Sequence, residues 1–339
     1  MDPLKDPLQP QRLALLGLDA REVWRHRLLN TLQSLALLGA MAALAGVLGW
    51  LLAGPPGLWL ALAMVAVLLA LNPAASPALV LRLYRAEPLE PWEAPALHRL
   101  LEELARRAGL PRPPRLHYVP SPLINAFAVG SEARSAVAVT DGLLRALDLR
   151  QVAGVLAHEV SHIRHRDTWI MGLADLISRI TVSLSYLGQL LLLLNLPLLL
   201  LGAAPLSWWA VLLLIFAPTL TALIQLALSR TREFDADLGA ALLTGDPEGL
   251  ASALARMERL QAGRFETLFL PGRRLPEPSL LRTHPPTEER IRRLLALRDR
   301  RLLPPLELEG VEMGGEPWEA WRRPRVERPP RWRASGLWW

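Results

Sequence analysis

The apolar residues of this chain are bunched rather than evenly periodic. Between Arg27 and Arg82, 54 consecutive residues include no Asp, Glu, Lys or Arg, and between Arg179 and Arg230 another 50 do the same. A helix needs about 20 apolar residues to cross the hydrocarbon of a bilayer, so each stretch is long enough for two crossings. Each also breaks in the middle, the first at Gly54-Pro55-Pro56-Gly57 and the second at Gly202-Ala203-Ala204-Pro205. Neither has the polar face of a soluble amphipathic helix. Trp50, Trp59, Trp208 and Trp209 flank the breaks, where an interfacial aromatic belt would sit. The pattern predicts two hairpins, residues 28–81 and 179–229, with four transmembrane helices near 31–53, 58–78, 180–201 and 208–228.

The basic residues orient these spans. Arg21, Arg25 and Arg27 precede the first, Arg82 and Arg85 follow the second, Arg164, Arg166 and Arg179 precede the third, and Arg230 and Arg232 follow the fourth. Both inter-span breaks are uncharged, so the positive-inside rule puts every charged segment, the N-terminal residues 1–27 included, in the cytoplasm of a multi-pass cell-membrane protein. The first apolar stretch is too long for a cleavable signal peptide.

What remains is a soluble domain interrupted by the second hairpin: residues 82–178, then 230–301. Leu97, Leu100, Leu101 and Leu104 have amphipathic helical spacing, ended by Gly109 and Pro111. Residues 115–119, 125–129 and 135–140 are short, rich in Val, Ala and aromatics, and predict a small sheet. Asp141 is expected to cap a short helix and Asp148 a long one running from Leu149 towards the membrane. Residues 230–244, 247–262 and 286–301 read as further helices, and 302–339 as a Pro/Arg/Trp-rich tail.

Composition narrows the chemistry. Of 339 residues 51% are hydrophobic and none is cysteine, which excludes disulfides, thiolate metal sites and Cys nucleophiles. Mean hydropathy is +0.22 beside a pI near 10.7, an unusual pairing for a plain soluble enzyme. The arginines are dispersed and no groove-reading motif is visible, so nucleic acid is not an expected partner. Lipid bilayer is.

His158-Glu159-Val160-Ser161-His162 lies within the expected long helix. Two histidines four apart share one helical face and can reach one metal, while Glu159, offset by one, can hold the attacking water without being a ligand. The bland alternative is a pair of solvated histidines. A third ligand must approach from elsewhere, because Asp167 and Asp175 follow on the same helix. A metzincin glycine and histidine are missing after His162, and the thermolysin spacing falls inside a span at Val182. No glutamate occurs between Glu159 and Glu233. Glu233, at the cytoplasmic end of the fourth span, returns beside the His helix, and Asp237, one turn on, can orient an imidazole. The alternative for Glu233 is a surface ion pair with Arg230 or Arg232. His165 shares the histidine stripe and reads as a supporting or solvated residue. The His/His/Glu set favours one Zn2+ per chain.

At these residues the sequence resembles the HtpX-type membrane zinc metalloproteases, relatives of the CAAX prenyl-protein proteases. The resemblance rests on His158-Glu159-x-x-His162, Glu233-x-x-x-Asp237 after a hydrophobic hairpin, and His284-Pro285-Pro286, and covers roughly residues 20–300. It implies His158, His162 and Glu233 as zinc ligands and Glu159 as general base. His284 would steady the oxyanion with Arg290 supporting the site, although His284 also suits a cap before the Pro286 helix. Asn125, Ala126, Phe127 and Ala128 match the family's Asn-Ala-Phe-Ala segment, a strand lining the cleft for an extended substrate. The expected fold class is a mainly α integral membrane protein: four transmembrane helices plus a cytoplasmic α+β, zincin-like catalytic domain with a small β-sheet.

The leading expectation is hydrolysis of misfolded or damaged membrane proteins near the cytoplasmic surface. A CAAX-type processing enzyme would have a larger helical cage. An intramembrane protease would bury Arg164, Arg166 and Asp167, at about 2.5–3.5 kcal/mol each. A non-catalytic scaffold with a structural metal would close its site with a fourth protein ligand. The tail, with Trp318, Trp321, Trp332, Trp338 and Trp339, suits either the anionic inner leaflet or a loose extension.

Overall fold

The computed structural model describes residues 20–71, 77–197, 208–266, 287–298 and 306. Two compact units emerge, one of Met1–Arg25, Ala74–Thr168 and Arg232–Trp339, the other of His26–Pro73 and Trp169–Thr231.

Helix α1 (Ala20–Leu71), which lies in the second unit from His26 on, is broken at Ala53 and Gly54, where Gly54 takes φ 63°. Its limbs fold back on one another. A Cβ on Gly49 would run into the carbonyl of Gly57, and one on Gly57 into that of Gly49. The residues expected for the first two spans therefore share one broken helix, whose end at Leu71 leaves 72–76 outside the described residues. The residues expected for the third and fourth spans fall largely in two helices that extend into the flanking charged segments, Asp167–Leu194 and Trp208–Thr244, with 198–207 outside the described residues. Ser229-Arg230-Thr231-Arg232 contains no Gly or Pro to stop a helix, so the last one runs straight on past its apolar part. Among the described residues three helices, Leu28–Val67, Asp167–Leu194 and Trp208–Thr244, are long and apolar enough to cross a membrane. Much of their apolar surface is exposed, including Leu190, Leu193, Leu212, Ile215, Phe216 and Leu223, as lipid-facing side chains would be.

Pro218 lies inside that last helix and has no N–H to give the carbonyl of Leu214. Two side chains of the helix Asp167–Leu194 supply the missing donors. Ser185 Oγ donates to Leu214 O, and Gln189 Nε2 donates to the same oxygen at 3.1 Å.

In the first unit the elements follow as α2 (Pro77–Leu83), β1 (Glu87–Pro88), α3 (Pro95–Ala108), β2 (Arg115–Val119), β3 (Ala126–Ser131), β4 (Arg134–Thr140), α4 (Asp141–Ala146) and α5 (Leu149–Arg164). The helices Asp167–Leu194 and Trp208–Thr244 are α6 and α7, and α8 (Pro247–Glu266) and α9 (Thr287–Leu295) complete the set. The sheet has the order β1-β2-β4-β3, with β2 and β4 parallel and both outer pairs antiparallel. One face packs Ala126, Val137, Val139 and Tyr118 on the leucines of α3 and the apolar side of α5; the other packs Val129, Ala136, Ala138 and Val119 on Leu81.

Local chemistry sets the helix ends. Gly109, left-handed at φ 69°, closes α3 by returning its N–H to Ala105 and Arg106. Asp148 and Gln151 form a reciprocal capping box on α5, as the sequence suggested for Asp148. The cap of α4 is Thr140 rather than Asp141, because Thr140 Oγ1 accepts from Leu143 N. Asp141 is buried instead, accepting from Tyr118 OH at 3.0 Å and from Arg145 Nε at 2.8 Å. Nor does α5 continue into the apolar stretch. It stops at His165 and Arg166, the latter at φ 58°, a strained conformation for an L residue, and the chain restarts as α6 at Asp167. Leu306, from the expected tail, is buried in the core of this unit and donates its N–H to Thr244 O; the rest of 302–339 lies outside the described residues.

Candidate metal centre

The long capped helix α5 carries His158 and His162 one turn apart, and α7 brings Glu233 to them. One donor atom from each lies within 4.8 Å of the others. His158 Nε2 and His162 Nε2 are 3.1 Å apart, and Glu233 places Oε2 at 3.4 Å from the first and Oε1 at 3.8 Å from the second. Bonds of about 2.0–2.1 Å at a tetrahedral angle put neighbouring donors about 3.3 Å apart, so the spacings between the two nitrogens and the Glu233 carboxylate are close to those of a zinc site. Two imidazole nitrogens so close repel as lone pairs unless a cation or a proton stands between them. Buried among carboxylates, the set fits a divalent metal.

Close backbone approach makes this possible. Gly239, on α7, faces Ser161 on α5, where a Cβ would strike the Ser161 Oγ. At the other end of α5, a Cβ on Gly154 would come within 2.7 Å of the Leu250 amide nitrogen in α8.

Behind each imidazole stands a carboxylate, and behind each carboxylate a guanidinium. Asp237 Oδ1 lies 3.0 Å from His158 Nδ1 as an ion pair, off the line of a straight hydrogen bond. Arg290, from α9, grips Asp237 with two donors at 2.8 and 2.6 Å and reaches Glu233 Oε2 at 3.1 Å. His162 Nδ1 donates to Asp167 Oδ2 at 2.9 Å, and Arg232 donates to Asp167 Oδ1 at 3.3 Å. Glu159 is half-buried beside His158, with its charge felt by Arg290.

A sequence model for peptidase family M48 matches residues 91–298 of this chain, the span that carries every one of these side chains. The chain belongs to peptidase family M48. A protease HtpX homolog of Burkholderia thailandensis is 37% identical over 290 residues, covering 79% of this chain and 97% of the relative. Another, of Ralstonia pickettii, is 36% identical over 291 residues, covering 79% and 96%. The crystal structure of S. mikatae Ste24p aligns over 80% of this chain and 66% of that one, at 20% identity and a TM-score of 0.44. The resemblance drawn from the motifs is borne out, and with it the expectation of a membrane metalloprotease.

In this M48 peptidase His158, Glu159, His162, Glu233, Asp237 and Arg290 come together as the motifs suggest. The pair Asp167 and Arg232 joins them without having been singled out. His165 is not among the three donors; its Nδ1 lies 3.2 Å from Ser161 Oγ. His284 lies outside the described residues. The Asn125–Ala128 segment divides by face. Ala126 and Ala128 lie on the side of the sheet packed on α5, whereas the Phe127 ring sits on the opposite face, 4.9 Å from the Tyr84 ring. The antiparallel register, with Thr140 N donating to Asn125 O, turns the main-chain groups of 125, 127 and 129 towards β4 and those of 126, 128 and 130 towards the outer edge. Thr168 Oγ1 donates to Gly130 O at 3.0 Å, which closes that edge at one end.

Burial alone would depress both imidazoles. At His158, Asp237 and Glu233 outweigh it and push the pKa up to about 10; at His162, Asp167 does the same in direction. Against its own burial Asp237 is held below the ordinary carboxylate range by Arg290 and His158. The pocket thus holds positive charge in place, as a proton or as a metal ion. In the metal-free protein the sign follows from linkage: a folded pKa near 10, above the ordinary 6.5, contributes stability that is whole below about pH 6.5 and lost as pH climbs through about 10. Metal uptake must displace that proton. Apparent zinc affinity is therefore expected to rise about tenfold per pH unit between about pH 7 and 9, with proton release on uptake at about pH 8. A chelator-competition titration whose midpoint ignores pH over that window would contradict it.

Proposed function

We propose that this M48 peptidase is a zinc-dependent endopeptidase, anchored in the cell membrane by four spans, that cuts misfolded or damaged membrane proteins at the cytoplasmic surface. The observation that carries the reading is the convergence of donor atoms of His158, His162 and Glu233, from two helices, to within 4.8 Å of one another, with Glu159 next to His158 in the chain. Arginines bordering the apolar stretches, with uncharged breaks between spans, support the orientation. The break in α1, whose limbs fold against each other, supports counting that helix as two crossings.

His158, His162 and Glu233 would hold the zinc, which when bound polarises a water molecule and the scissile carbonyl near neutral pH. Glu159 accepts the proton of the attacking water and passes it to the leaving amine. Asp237 and Arg290 fix the His158 ring and neutralise the carboxylates around it. The outer edge of β3 offers the main-chain groups of Ala126 and Ala128 to an extended peptide, a mode of recognition that reads backbone rather than side chains and so suits unfolded segments. His284, on the strength of its motif, is assigned to steadying the oxyanion.

Metal analysis and proteolysis by the detergent-purified full chain test this reading. Zinc is expected in the purified protein, and chelation is expected to stop cleavage of an unfolded, casein-like substrate until zinc is restored. Protein that carries zinc and never cleaves would leave a scaffold with a structural metal.

A further inference from the structure

Asp167 and Arg232 occupy a position in the site that mirrors Asp237 and Arg290. The Asp167 side chain is 2% exposed and the Arg232 side chain 8%, so this is no surface ion pair. Asp167 Oδ2 accepts a hydrogen bond from His162 Nδ1 at 2.9 Å and its other oxygen accepts from the Arg232 guanidinium at 3.3 Å. A hydrogen bond that holds the proton on Nδ1 leaves Nε2 as the free donor, and His162 Nε2 is the atom turned towards His158 and Glu233. The geometry arises from the left-handed Arg166, which ends α5 and swings the first residue of α6 back beneath the second histidine. On an unbroken helix a residue five positions on would point about 140° away.

Resting on the reading of the site as a metal centre, we infer that Asp167 and Arg232 are positioning residues for metal binding: a second carboxylate–guanidinium brace that fixes the tautomer and orientation of His162 and ties it to the third ligand. The tie is covalently short, since Arg232 directly precedes Glu233. Asp167 opens the helix that leaves for the second apolar stretch, and Arg232 lies in the helix that returns from it. One ion pair therefore clasps both roots of that hairpin at the ligand His162.

A plainer role for Asp167 is an acid in the first turn of α6, favourable to the helix dipole and nothing more. Zinc affinity separates the two. The full chain in detergent is titrated with zinc against a chromophoric chelator, wild type beside Asp167→Ala, Asp167→Asn and Arg232→Gln, and cobalt(II) spectra of each are recorded. The brace predicts affinity about 10–100-fold lower for Asp167→Ala, a smaller loss for Asp167→Asn, which keeps an oxygen for the His162 Nδ1 proton, and an altered cobalt spectrum. Wild-type affinity and an unchanged cobalt spectrum in both Asp167 variants would overturn it, even if the melting temperature of the metal-free protein falls. Should Asp167→Ala fail to fold, the isosteric Asp167→Asn, with Arg232→Gln beside it, decides by the same criteria. A wild-type chain that takes up no metal sinks the metal-centre reading and this inference together, whereas wild-type uptake with indifferent variants sinks only the inference.

Discussion

Glu159→Gln is expected to bind zinc as the wild type does and to lose cleavage by about 10²–10⁴-fold in kcat. The change replaces one oxygen by an NH2 group and leaves shape intact. Glu159 lies outside the His158–His162–Glu233 set, so no ligand is lost. What disappears is the carboxylate that takes the proton of the attacking water and returns it to the departing nitrogen. The charge change is also local, because Arg290, the cation that feels Glu159, is held chiefly by Asp237 and Glu233. Zinc content and hydrolysis rate, measured on the same preparations, check it. Cleavage within about tenfold of wild type would remove Glu159 from the chemistry.

Arg290→Ala is expected to have the largest effect on folding. Its guanidinium makes two donors to Asp237 and one contact to Glu233, with side chains 5–7% exposed throughout. Removing one partner from a buried ionic group costs about 3–5 kcal/mol, because the charges left behind have lost their solvation as well as their counterion. Thermal unfolding in detergent should show a drop of several degrees in the metal-free protein. Zinc should recover part of it, since a ligand that binds only the folded state adds stability in proportion to its occupancy. Arg290→Lys should not rescue, because a single ammonium cannot span two oxygens of Asp237 and one of Glu233. A melting temperature for Arg290→Ala equal to wild type would show the brace to be energetically idle.

How much of the site could be read beforehand depends on whether its contacts are local. His158 and His162 lie four apart on a helix, so their common face follows from the 3.6-residue turn. Glu233 stood out as the first carboxylate after His162 able to approach from another element, and the family resemblance made it the third ligand. Asp167 escaped because its place depends on Arg166 adopting φ 58°, and no residue type at that position announces it. Arg232 escaped with it, read as a basic residue flanking the fourth span and as an alternative partner for Glu233. The strands β2, β3 and β4 were legible from their Val- and Ala-rich runs, whereas β1, two residues including Pro88, had neither length nor alternation to reveal it. Within Asn125–Ala128 the strand's period of two, which the motif spans without distinguishing, sends Phe127 to the far face. The choice between Thr140 and Asp141 as a cap is a shift of one residue between two good capping types.

Pro218 has a consequence for any attempt to strengthen the apolar unit. Hydropathy would rank Ser185 and Gln189 as its weakest positions and leucine as the improvement at both. Yet these two side chains serve a backbone oxygen that its own helix has abandoned, in a medium with no solvent to replace them. Greasing the helix would leave Leu214 O stranded in oil, so the greasier pair would associate less well. Here the sensible repair runs the other way: the two polar residues become dispensable only when the proline goes first.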